Sequence, residues 1–117
     1  MATVEQHFAG RAPVVRAIYQ KLLSAAKAHG PFVEDPKKTS IHLARKTAFA
    51  GVATRNNALL LTVKSDRDIR SPRIEKRERT SPNRWHLVVR LEDPKDVDAE
   101  VKQWLKNAIA LAGPVAP

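Results

Sequence analysis

Eight basic side chains in the middle of the sequence have the chemistry needed to hold an anion. They are Lys38, His42, Arg45, Lys46, Arg73, Arg84, His86 and Arg90. An arginine fork can donate to two phosphate oxygens at once, and clustered cations displace the counterions that condense on a nucleic acid. If the fold gathers these groups, they predict a site for an anionic ligand, with nucleic acid as the leading hypothesis. If the fold scatters them, they form a solvated, charge-rich surface.

The charge of the chain is unevenly distributed, and its distribution agrees with such a site. The formal net charge is +9, and residues 59–90 alone hold nine basic and four acidic residues. Residues 91–117 hold three basic and five acidic residues, so the positive excess is central. A positive domain favours anionic partners, which include nucleic acid, phosphorylated ligands and acidic protein surfaces. The sequence has none of the aromatic or recognition-helix signatures of common nucleic-acid-binding modules.

His42 and His86 raise the separate question of a metal or proton-transfer site. We expect the two imidazoles to meet across neighbouring strands, where they would suit either role. A zinc site needs a third ligand, but the sequence offers none there and contains no cysteine. Asp66 and Asp68 resemble a metal-binding pair, but loop aspartates commonly bond their own backbone. We therefore predict neither a metal nor another cofactor.

The usual catalytic signatures are missing from the sequence. A restriction-type nuclease strand places one residue between its glutamate and its lysine, whereas Glu75 directly precedes Lys76. No serine, threonine and histidine form a recognisable triad arrangement, and the four glycines form no phosphate-binding loop. We therefore assign no catalytic residue and favour a non-catalytic binding or accessory module. Two alternatives stay open: a protein-interaction or regulatory module, which includes a homodimer, and an enzyme that acts on a small anionic substrate in a pocket at His42, His86 and Arg90.

Apolar periodicity places a helix near each end of the chain. Pro13 is suited to open the first helix and Gly30 to end it, and apolar residues recur between them at helical spacing. Asp93 predicts the N-terminal cap of the last helix, which Gly113 ends. A shorter helix over Val4–Phe8 precedes both.

The segments between the helices predict strands. These segments are Ser40–Arg45, Ala48–Thr54, Leu59–Lys64, Arg73–Thr80 and Arg84–Leu91. Short turns join them, so we expect an antiparallel sheet of four to five strands packed against two main helices. This is an α+β fold that forms a single domain over residues 1–117. With both helices on one face, His42, Lys64 and His86 point to the other face. The facing of Ala48–Thr54 stays open, because a one-residue slip reverses every side chain.

The start of the chain and its hydropathy bear on where the protein is found. The first ten residues carry Glu5 and no apolar run, so they do not resemble a signal peptide. No segment approaches the roughly 18 uncharged apolar residues of a membrane span. We therefore expect a cytoplasmic protein that has no membrane partner.

Six segments, in order over nearly the whole chain, carry a resemblance to other proteins. They are residues 7–10, 38–43, 47–52, 71–74 and 84–91, and residues 96–98 leading into Trp104 and Leu105. Together they resemble the bacterial family known as domain of unknown function 5655. The resemblance implies a stand-alone version of a module that elsewhere is attached to other domains, some of them similar to restriction-type nucleases. It implies no activity and no catalytic residue, because none is established for that family.

Overall fold

The computed structural model describes residues 2–113, in which a helix, a run of strands and a second helix follow one another. Helix α1 spans Pro13–Lys27 and helix α2 spans Ala99–Ala112. The strands are β1 (Val33–Pro36), β2 (Ile41–Ala44), β3 (Ala48–Thr54), β4 (Leu59–Ser65), β5 (Ile74–Ser81) and β6 (Arg84–Leu91). Two 3₁₀ helices, Glu5–His7 and Pro94–Asp96, precede α1 and α2 respectively. The fold is α+β, as predicted.

The N-terminal part of the chain forms α1 as predicted, but its first helix is shorter than expected. The α1 residues that face the core are Val15, Ile18, Tyr19, Leu22, Leu23 and Ala26. Gly30 has φ +110°, a conformation that glycine adopts without strain, and it turns the chain after α1. The predicted Val4–Phe8 helix is only the 3₁₀ turn Glu5–His7, because the chain turns away at Gly10 (φ +74°).

The cap of the last helix lies five residues later than predicted. Asp93 caps the second 3₁₀ helix, where its carboxylate accepts a hydrogen bond from the Lys95 N–H at 2.9 Å. The backbone then leaves helical geometry at Val97, and Asp98 caps α2 by accepting from the Val101 N–H at 3.1 Å. Neither helix, nor any other in residues 2–113, has the length and apolar character needed to cross a membrane.

The sheet has six strands, all antiparallel, in the order β1-β2-β3-β4-β6-β5, so the predicted count of four to five was too low. The strand that the prediction missed is β1, which is short, acidic and ends in Pro36. The Tyr19 hydroxyl of α1 donates to Glu34 of β1 at 2.6 Å and ties this edge strand to the helix. Burial, together with Glu34, raises the pKa of Tyr19 well above its usual range, so the hydroxyl keeps its proton.

Both helices cover the same face of the sheet. Alternate residues of the central strands β4 and β6, such as Leu61 and Val89, are buried beneath them, and the residues between these are only partly buried. α2 lies over β3 and β4 and also contacts α1. The opposite face is not covered by any helix within the described residues. We call it the open face.

A β-bulge decides the facing of β3, which the sequence left open. Leu43 pairs with Ala50, but Ala44 pairs with Ala48, so Phe49 is the extra residue. A bulge breaks the strict alternation of side chains. Phe49 and Ala50 are therefore both buried, and the Phe49 ring meets Phe32 edge-to-face at 5.9 Å. Ala48 is left on the open face.

Candidate functional site

The centre of the open face is built by one residue from each of four strands. The pairing His42–Gly51–Thr62–Val88 runs across β2, β3, β4 and β6. The next row contains Lys64 of β4 paired with His86 of β6, and His86 in turn pairs with Glu78 of β5. Side chains alternate between the two faces along these strands. The apolar residues on either side of these positions therefore face the core.

These residues enclose a depression of about 300 Å³, which we call the central hollow. Its floor is made of small residues of β3, namely Ala48, Gly51 and Ala53. Its rim carries polar and basic side chains, namely Ser40, His42, Thr62, Lys64 and His86. An apolar floor beneath a cationic rim suits a ligand that is partly apolar and partly anionic.

Two further depressions border the central hollow. One, of about 330 Å³, lies toward the end of the sheet and adds Thr47, Thr80 and Arg84, with the end of α2. The other, of about 210 Å³, lies toward β5 and adds Lys76 and Glu78. His86 lines all three depressions, so it lies at the centre of a continuous concave surface.

Among the described residues, the cations around His86 form no ion pair, unlike Arg73 and Arg77 on the helix side. Within residues 2–113, no Asp or Glu oxygen lies within 4 Å of the charged groups of Lys64, Lys76 or Arg84. Arg84 donates instead to the carbonyl of its neighbour Asn83 at 2.8 Å. Lys64, Lys76 and Arg84 are therefore not held in ion pairs within the described part of the chain.

From the sequence, we expect His42 and His86 to meet across neighbouring strands. In the structure they line the same hollow but lie on strands that are not neighbours. Strands β3 and β4 lie between β2 and β6. Three strand spacings correspond to about 14 Å. The two imidazoles therefore form opposite walls of the hollow and do not form a pair. No group of three or more His, Asp or Glu side chains in the described part of the chain is placed to hold a metal ion.

Three other predicted residues lie at the margins of the open face. Arg90 is four residues along β6 from His86 and pairs with Glu92 at 3.2 Å, so it does not line the central hollow. Lys46 is exposed in the turn between β2 and β3 and lies against Gly113. Lys38 is exposed in the turn between β1 and β2. The central hollow therefore contains both histidines but not Arg90, which the enzyme alternative placed with them.

Arg45 lies outside the open face and holds the end of α1. Its Nη1 donates to the carbonyl of His29 at 3.1 Å, and its guanidinium lies about 3.7 Å from the position that a Cβ on Gly30 would occupy. Its Nε is buried without a hydrogen-bond partner in residues 2–113. Arg45 is therefore a structural residue of the helix-to-strand connection.

Arg73 is likewise structural, and it holds the start of α2. It donates to the Asp98 carboxylate at 2.9 Å, to Glu100 at 3.2 Å and to the Asp96 carbonyl at 2.7 Å. Burial alone would lower the pKa of Arg73, but the hydrogen bonds to the two carboxylates outweigh it and raise the pKa. For Asp98, burial alone would raise the pKa, but the hydrogen bonds from the Val101 N–H and from Arg73 hold the pKa below its usual value.

Both loop aspartates pair with arginines, and Asp66 also bonds its own backbone, as loop aspartates commonly do. Asp66 accepts from Arg67 at 3.0 Å, and that hydrogen bond lowers the pKa of Asp66. Asp68 accepts from Arg77 of β5 at 2.9 Å and also pairs with Arg70. These contacts occupy several basic residues of the loop between β4 and β5, so its positive charge is largely neutralised.

Several residues that line the central hollow are not among the eight predicted ones, and Lys64, Thr62 and Gly51 are three of them. The alternation of β4 places Lys64 on the open face, and Thr62, two residues earlier, shares that face. Gly51 had no signal beyond being a glycine inside a strand, which often marks a close approach of another group. Gly51 is part of the floor of the central hollow, and Thr62 and Lys64 are part of its rim.

A wider depression of about 580 Å³ lies elsewhere, between the first 3₁₀ helix and α1. Its two arginines have partners. Arg16 pairs with Glu5, and Arg11 donates to Asn56 at 2.8 Å and to Thr54 at 3.1 Å. Because its cations are engaged in holding the N-terminal segment on the sheet, this depression is a weaker candidate than the central hollow.

Comparison with known proteins identifies the family. The family model described as a domain of unknown function, DUF5655, matches residues 4–112. The chain belongs to this family. The match confirms the resemblance seen in the sequence, and in this DUF5655 chain it covers both helices and all six strands. No curated protein and no solved structure matches the chain.

Proposed function

We propose that this DUF5655 domain is a non-catalytic binding module whose open face binds an anionic partner, and that the partner is nucleic acid. One observation carries the proposal. Lys64, Arg84 and His86 line one concave surface, and among residues 2–113 no carboxylate oxygen lies within 4 Å of either cation.

Cations without partners support binding because their charge has not been used within the fold. A polyanion that contacts them releases condensed counterions, which favours association at low salt. Arg73 and Arg77, by contrast, are each held by carboxylates within the fold. A ligand at those positions would first have to displace an internal carboxylate.

The shape of the open face also supports a bound partner. A sheet face bordered by Lys64, Lys76 and Arg84 on three strands presents positive charge across the strand direction. A nucleic-acid backbone is a linear array of phosphates that such an array can follow. Glu78 also lines the depression near β5, and its carboxylate limits the positive region on that side.

The alternative of a protein partner rests on much less. Among the described residues, Val33 on the edge strand β1 is the large hydrophobic residue that is exposed, at 55%. A single exposed valine is ordinary on a protein surface and is not an apolar patch. The structure therefore favours the charged open face over an apolar contact.

The test compares two double variants with equal loss of charge. K64A/R84A removes two cations of the open face, and K102A/K106A removes two exposed cations from the outer surface of α2. We measure binding of a fluorescently labelled oligonucleotide by anisotropy at several salt concentrations. K64A/R84A should weaken binding about tenfold or more. It should also reduce the slope of the logarithm of the binding constant against the logarithm of the salt concentration by about 1.5. K102A/K106A should leave both values close to those of the unmodified domain.

Two results contradict the proposal. One is an unmodified domain that binds no oligonucleotide at low salt. The other is an equal loss of affinity in both double variants, because that would show a response to net charge and not to the open face.

A further inference from the structure

We infer that the central hollow holds the flat ring of an unpaired nucleotide, with the attached phosphate beside Lys64 and Arg84. This inference rests on the proposed function and names the part of the nucleic acid that the open face recognises. It predicts a preference for single strands over duplexes.

Gly51 is the first reason. It lies in the middle of the central strand β3, where glycine weakens a sheet. Its φ is not positive, and an added Cβ would lie 3.9 Å from the Thr62 Cβ, which is ordinary contact. Neither the backbone nor the packing therefore requires a glycine there. Its effect is to leave the floor of the hollow open.

The lining of the hollow is the second reason. Ala48, Gly51 and Ala53 give a floor without long side chains, while His42 and His86 form opposite walls. A free phosphate would gain no favourable contact from an apolar floor. A heterocyclic ring does, because its faces are apolar and can lie on small residues and against imidazoles.

The polar groups are the third reason. Ser40 and Thr62 place hydroxyl groups on the rim, and a hydroxyl can both donate to and accept from the edge of a base. Lys64 lines both the central hollow and the depression that contains Arg84. A ring in the hollow would therefore have its phosphate next to two cations.

A duplex cannot satisfy this arrangement without being opened. Its bases are stacked and paired, and only the phosphates and groove edges reach a surface. We therefore expect duplexes to contact the cations alone, while single strands contact the cations and the hollow.

The test is Gly51→Val, which fills the floor without changing any charge. Valine favours strands, so the thermal stability should stay equal or rise, and a loss of binding cannot be attributed to unfolding. The matched control is Ala44→Val, which adds bulk to the open face outside the hollow. Affinities are measured for a labelled single strand, for the corresponding duplex and for heparin.

G51V should weaken single-strand binding about tenfold, the order of magnitude of one stacked base, and leave duplex and heparin binding unchanged. A44V should leave all three affinities unchanged. Equal single-strand binding by G51V and the unmodified domain overturns the inference, as does an equal loss for all three ligands. In both of those cases the proposed function survives, because the unmodified domain still binds polyanions. It fails separately if the unmodified domain binds none of them.

A competition arm separates two sources of the same ligand chemistry. A free nucleoside monophosphate that displaces the labelled strand from the unmodified domain at similar concentration, and is less effective against G51V, identifies free nucleotides as ligands of the hollow. Displacement only by other strands identifies a nucleotide within a strand as the ligand. Displacement by inorganic phosphate as effectively as by the nucleotide overturns the inference, because the ring would then contribute nothing.

Discussion

Two groups of basic residues, one beside the helices and one on the open face, differ in their partners. Around the helices, Arg73 binds Asp98, and Arg45 donates to the carbonyl of His29 just after α1. On the open face, Lys64 and Arg84 lie beside a hollow and have no carboxylate within 4 Å among residues 2–113. Similar side chains therefore stabilise the fold on one side and remain available to a partner on the other.

The difference shows that a basic stretch of sequence is not by itself a binding footprint. Arg73 and Arg84 are both in the positive central part of the chain, and the sequence predicts both as site residues. The fold separates them, because acidic residues from the last third of the chain reach Arg73 but not Arg84. What matters for binding is the charge that remains after internal pairing.

The largest loss of stability is expected at the β3 bulge, where Phe49 is buried and its neighbour Ala48 lies on the open face. Phe49→Ala should lower the free energy of unfolding by about 3–5 kcal/mol, because it empties a fully buried site next to Phe32. Ala48→Ser, one residue earlier, should change it by less than about 0.5 kcal/mol because Ala48 lies on the open face. Urea denaturation measures both.

A larger loss of stability from Ala48→Ser than from Phe49→Ala would contradict the assignment of Phe49 to the core and Ala48 to the open face. If F49A cost little stability and altered oligonucleotide binding, Phe49 would lie on the open face and the hollow would not exist in the form described.

A smaller effect is expected at Arg73, on the helix side. Arg73→Met should lower the free energy of unfolding at pH 7 by about 1–2 kcal/mol, since it leaves two carboxylates without their cation while partly exposed. Oligonucleotide affinity should stay unchanged. A loss of affinity at full folding would show that Arg73 belongs to the binding site after all.

The pH dependence of that effect has a defined sign. The pKa of Asp98 is lower in the folded protein than in the unfolded chain, so its contribution to stability is complete above about pH 4 and is lost as the pH falls through the folded pKa. The stability difference between R73M and the unmodified domain should therefore narrow in acid. A difference that grows as the pH falls below 4 would contradict the assigned contact.

Much of this fold follows from local sequence rules. Pro13 and Gly30 frame α1, and strict alternation gives Arg84–Leu91 its correct bounds and facing. The strand Ala48–Thr54 also has the predicted bounds, but its facing depends on the bulge, which is a matter of register with Leu43 and Ala44. Register is set by pairing with another strand, so no local rule supplies it.

Other features depend on contacts between distant segments and could not be predicted. β1 is acidic and ends in proline, and its position is explained by the hydrogen bond from Tyr19 to Glu34 and by pairing with β2. The separation of His42 from His86 depends on strand order, because β3 and β4 intervene. The exclusion of Arg73 from the site depends on where α2 begins.

The most direct test of the division between the two faces is an amide NMR titration of the domain with a short single-stranded oligonucleotide. The chemical-shift changes should centre on Gly51, Thr62, Lys64 and His86 and decline toward the helices. Changes centred on the outer surfaces of α1 or α2, or on the depression at Arg11 and Arg16, would contradict the assignment of the open face as the binding surface.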